Sequence, residues 1–128
     1  MLMITRYVLV SIGSLVITLW GIAHLVPTKS VVSGFGAISG DNRKIITMEW
    51  IAEGLTLCFI GFLVLLVTLY AGPQNLVSVL VYKVTAWMLV AMAGLTFVTG
   101  VKTSIALIKV CPLVKSIVAI LFFLGSSL

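Results

Sequence analysis

GDNRKIITMEWIAEGLTLCFIGFLVLLVTLY, Gly40 to Tyr70, is the stretch whose reading decides the fold. From Leu55 onward it carries no charge. A helix rises about 1.5 Å per residue, so Ile45 to Tyr70 exceeds the ~30 Å hydrocarbon thickness of a bilayer. Its first turn or two should therefore protrude. Ser39 or Asp41 can cap the free amides at its start. Its first half also holds every acidic residue of the chain: Asp41, Glu49 and Glu53.

The rest of the chain has the same character. Hydrophobic residues make up 62% of it and charged residues 9%, against roughly 25% charged in soluble domains. The expectation is an all-α protein: an integral membrane four-helix transmembrane bundle forming a single domain over residues 1–128. The spans fall at about 7–26, 43–70, 76–99 and 110–127. The first stops at Pro27, which continues a helix poorly. The apolar part of the N-terminus is about 20 residues long, more than the 7–15 of a signal-peptide core, so it reads as a retained span. The segment after Pro27, PTKSVVSGFGAISGD, is rich in Gly and Ser and reads as an irregular, partly apolar loop at the membrane interface. AGPQN, residues 71–75, is a tight turn. Pro112 suits the first positions of the last span, or a kink if TSIALIK extends that helix.

The basic residues set an orientation. Lys29, Arg43, Lys44, Lys102, Lys109 and Lys115 fall on the side of the first and third loops, while Arg6 and Lys83 fall on the other. By the positive-inside rule the richer side is cytoplasmic, and both termini lie on the non-cytoplasmic side of a plasma or inner membrane. The net charge of +5 is spread over span boundaries, which argues against nucleic acid as a partner. Cys58 and Cys111 lie at different depths and are expected to stay unpaired.

Glu49 and Glu53 are i and i+4 and share one helix face. With the hydrocarbon starting near Ile45, they sit ~6 and ~12 Å deep. The first span runs antiparallel, which places His24 ~4–5 Å and Trp20 ~10 Å deep. Ser11, Ser14, Thr18 and Gly21 form a small-residue stripe beside His24, and such stripes let membrane helices approach closely. The site expected is a polar pocket at the cytoplasmic leaflet. His24, Glu49 and Glu53, with Trp20 and Trp50 as aromatic walls, bind a lipid-like or cationic ligand there. The plainer reading makes Glu49 an interface anchor paired with Arg43, Lys44 or Lys115, and His24 a helix-end cap. One histidine and two distant cysteines argue against a dedicated transition-metal or haem site; His24 with two carboxylates could hold iron or zinc, but the spacing matches no known ligand motif, and the cofactor is left unassigned.

The four-span layout, the GIAHLVP ending of the first span, the long loop after it and the acidic MEWIAEG opening of the second resemble the DoxX-like group of small four-helix membrane proteins. The resemblance implies a compact bundle; some members of that group are subunits of quinone-reducing complexes and others look like assembly factors. It carries no site residue over. The first functional reading is thus a non-enzymatic ligand-binding protein or accessory subunit, with membrane lipid, a second copy or a larger membrane complex as partner. Two alternatives use the same residues: a lipid- or isoprenoid-modifying enzyme with Glu/His acid–base chemistry, and a proton-coupled transporter in which Glu53 is alternately protonated.

Overall fold

The computed structural model describes all of residues 1–128. It is entirely helical: α1 (Leu2–Leu25), α2 (Thr28–Ser33), α3 (Gly40–Ala71), α4 (Leu76–Gly100) and α5 (Ala106–Ser127). All but α2 are long and apolar enough to cross a membrane, which points to an integral membrane protein.

Local chemistry sets the ends. Ser39 caps α3, its hydroxyl accepting from Asn42 N at 3.2 Å. Gly72 ends α3 at φ 82°, a conformation that favours glycine. Asn75 then caps α4, Oδ1 accepting from Val77 N at 2.9 Å. One segment differs from the sequence expectation. The loop after Pro27 is not wholly irregular, because Thr28–Ser33 closes into the short helix α2. And α5 starts at Ala106, so of the two readings of Pro112 it is the extended helix that holds, with Pro112 inside it rather than at its first positions. Proline there leaves the Ile108 carbonyl without its helical donor.

The four long helices alternate in direction. α1 packs on α3 and α5, α5 packs on α4, and α3 meets α4 more lightly. The α1–α3 crossing is close because it is built from glycine. A Cβ on Gly21 would lie 2.6 Å from Cys58 Sγ and 2.8 Å from Gly54 O. A Cβ on Gly61 would lie 2.6 Å from Ser14 O and would strike the Thr18 hydroxyl. The small stripe of α1 therefore meets a matching small stripe of α3.

The core runs down the bundle axis through Val10, Ile17, Leu57, Val64, Leu89 and Phe122. Only 29 of 128 residues are buried, and large apolar side chains such as Phe59, Phe62, Trp87, Phe97 and Leu113 cover the outside. A surface of that kind suits a hydrocarbon solvent rather than water. Near the α3–α4 turn the two helices are tied together by polar contacts. Thr68 Oγ1 and Tyr82 OH are 2.7 Å apart, and Ser78 donates to Val67 O at 3.2 Å. At the opposite end of the bundle they border a cavity.

Candidate functional site

The cavity has a volume of about 600 Å³, within the ~300–1,000 Å³ of small-molecule sites. It lies where the C-terminal ends of α1 and α4 meet the N-terminal halves of α3 and α5. Its wall on α3 is formed by Ile45, Ile46, Glu49, Ala52, Glu53 and Thr56, all on one helix face. The facing wall on α4 is mostly apolar, with Met88, Met92 and Leu95 leading to Thr96 and Thr99. Ala52, Met88 and Leu95 are also exposed on the outside of the bundle, so the cavity opens sideways between α3 and α4.

Its inner end is polar. Lys115 of α5 donates to Glu53 Oε1 in an ion pair, and to Thr96 Oγ1 at 2.9 Å. The Lys115 side chain has 0% exposure and the Glu53 side chain 31%, so the carboxylate faces the cavity and the ammonium stands behind it. The thiol of Cys111 points at the same Oε1 from 3.9 Å. The other carboxylate oxygen, Oε2, has His24 Nε2 3.7 Å away, beyond hydrogen-bond reach. His24 is 2% exposed, and neither of its ring nitrogens has a hydrogen-bond partner.

Trp50 fixes that histidine. The two rings stack with centroids 3.9 Å apart and planes 17° from parallel. The Trp50 indole also donates to His24 O at 2.7 Å, taking up a carbonyl that the end of α1 leaves free. Trp50 lies one residue after Glu49, so the turn that aims the carboxylates into the cavity also lays the indole on α1.

The structure thus brings His24, Glu49, Trp50 and Glu53 to one cavity. Glu49 is exposed at the mouth and forms no ion pair with Arg43, Lys44 or Lys115. Trp20 is not on the lining; it stands behind Cys111 and donates its indole N–H to that sulfur at 3.3 Å. Asp41 lies outside the cavity and faces Lys44 at 4.0 Å on the exposed first turn of α3. The sequence reading overlooked Lys115, Thr96 and Cys111 as members of the site. A signal for Lys115 did exist. Cys111, Lys115, Val118, Ala119 and Phe122 follow helical spacing and are all buried, so the lysine occupies the inward stripe of α5.

No three His, Cys, Asp or Glu side chains are grouped to hold a metal ion. What the arrangement offers is a slot with apolar sides, an internally neutralised ion pair at its end and an uncompensated carboxylate at its mouth. Comparison with protein-family models, with curated proteins and with solved structures gave no match for this chain.

Proposed function

We propose that the protein is a small membrane protein that binds one amphipathic, lipid-like molecule in the slot between α3 and α4. The ligand enters sideways from the bilayer. Its apolar body lies along Met88, Met92 and Leu95, and its polar end reaches Glu49, Glu53 and His24. One observation carries this reading: His24 is buried against the slot with no hydrogen-bond partner for either ring nitrogen. A buried polar group without a partner costs about 1–3 kcal/mol, which an incoming polar group can recover. The methionines support the same reading, because their flexible thioethers adapt to chains of differing shape.

The slot lies at the end of the bundle that carries Lys29, Arg43, Lys44, Lys102 and Lys109. The positive-inside rule then places it in the cytoplasmic leaflet with both termini across the membrane. The acid–base enzyme reading is weakened by the Lys115–Glu53 pair, since one oxygen of that carboxylate is already taken up by the ammonium. The resemblance to the DoxX-like group remains one of layout and assigns no residue of the slot.

Native mass spectrometry of protein extracted from its membrane into detergent tests the proposal, wild type beside Met92→Trp. An adduct of lipid-like mass on the wild type that is lost from the variant supports it. No adduct, or the same adduct on both, overturns it.

A further inference from the structure

Around the slot, nearly every hydrogen-bond donor is already committed. The hydroxyls of Thr56, Thr96 and Thr99 donate to the carbonyls of Ala52, Met92 and Leu95 on their own helices, and that of Thr103, in the turn after α4, to Gly100 O, all at 2.7–2.8 Å. The Trp50 indole is spent on His24 O. The Lys115 ammonium is held by Glu53 Oε1 and Thr96 Oγ1 and has no exposed surface. What is left over is mostly acceptors. Glu53 Oε2 makes no hydrogen bond, and the Glu49 carboxylate has neither an ion-pair nor a hydrogen-bond partner. A neutral imidazole adds one unprotonated nitrogen, its single N–H being the one uncommitted donor. The charges agree with this count. Glu53 and Lys115 cancel, which leaves Glu49 as the net charge lining the slot.

From this surplus of acceptors and the negative balance we infer that the ligand is a lipophilic primary amine, bound as its ammonium. The inference rests on the slot-binding reading above and specifies its head group. An –NH₃⁺ head has three donors and no acceptor, the complement of what the slot leaves free. One N–H goes to Glu49, one turn nearer the mouth. One goes to Glu53 Oε2, and the third turns toward His24 behind that oxygen. A sulfate or phosphate head meets an unpaired carboxylate and no free cation on the slot's lining. An alcohol offers one donor where three acceptors wait. A trimethylammonium head brings the charge but no N–H. His24, 2% exposed, without a hydrogen-bond partner and on the lining of the slot, separates this site from an ordinary pair of surface acids.

The test is retention of four single-chain probes by the whole protein in zwitterionic vesicles: hexadecylamine, hexadecanol, hexadecyltrimethylammonium and hexadecyl sulfate. The expected result is saturable binding of the amine about tenfold or more tighter than of the other three, as two charge-assisted hydrogen bonds imply. Glu49→Gln, at an exposed position whose loss leaves the buried pair intact, should weaken the amine about tenfold and hexadecanol far less. Met92→Trp should abolish both. If hexadecanol or the trimethylammonium probe binds as tightly as the amine, or Glu49→Gln leaves the amine unaffected, while Met92→Trp still blocks binding, the head-group inference fails and the slot reading stands. If Met92→Trp changes nothing, or no probe is retained, both fail.

Discussion

Removing either partner of the Glu53–Lys115 pair should destabilise the bundle, but unequally. Losing one member of a buried ion pair costs about 3–5 kcal/mol, because the other is left charged without compensation. Here the two survivors differ. After Glu53→Leu, Lys115 stays in a site with 0% exposure and only the Thr96 hydroxyl beside it, so a loss near ~4 kcal/mol is expected. After Lys115→Met, the Glu53 carboxylate remains 31% exposed and can take up water from the slot. The loss should then fall to ~2 kcal/mol once solvent access is allowed for. The double variant Glu53→Leu/Lys115→Met leaves no charge behind and should lie within ~1 kcal/mol of wild type, since apolar replacements of buried pairs are often neutral. Cys58 and Cys111 supply the readout, being free thiols that are partly and fully shielded in the fold. Their labelling by a fluorogenic maleimide during heating in detergent reports opening of the bundle. Single variants of equal cost, a costlier Lys115→Met, or a double variant as unstable as Glu53→Leu would each refute the placement of the ammonium behind the carboxylate.

Two further outcomes test the frame around the slot. Gly61→Ala should destabilise by ~1–3 kcal/mol through overpacking against Ser14 O and the Thr18 hydroxyl, whereas Gly94→Ala on α4, with nothing within 4 Å of the new Cβ, should be neutral or up to ~1 kcal/mol stabilising; the same thermal labelling separates them, and equal effects would show that α1 and α3 do not cross at Gly61. Leu128→Cys in a background without Cys58 and Cys111 should react with an impermeant maleimide added outside intact cells or spheroplasts, and protection from outside with reaction from inside would reverse the proposed orientation.

Much of this architecture can be read from the sequence because hydropathy alone separates four long apolar segments, and Pro27 and Gly72-Pro73 punctuate them. The meeting of His24 with the α3 acids is also legible, since antiparallel helices of known rise bring residues of equal depth together. The six residues of α2 are not, because Thr, Ser and Val are weak helix formers and tertiary contact with α3 decides their state. Pro112 leaves the start of α5 between two readings, since it resembles a first-turn signal yet sits inside the helix. The partner of Glu53 depends on how α5 is rotated. Loop charge counts treat Lys115 as a boundary residue, while its place on the Cys111–Phe122 stripe turns it inward.

The two glutamates one turn apart are therefore not duplicates. Glu53 is bound to Lys115 and joins α3 to α5, with Thr96 bringing α4 into the same contact. Such a junction tolerates a charge below the membrane boundary because the pair is neutral as a unit and its ammonium is hydrogen-bonded twice. Glu49 carries no such duty, lines the mouth and keeps its charge uncompensated. Holding α3, α4 and α5 at Glu53, and α3 against α4 again at Thr68–Tyr82, leaves the stretch between α3 and α4 as the part of the bundle with room to admit a guest. The ion pair thus does two things at once: it closes the inner end of the slot, and it consumes Lys115, the one lysine or arginine on the slot's lining, which leaves Glu49 as the lining charge without a partner.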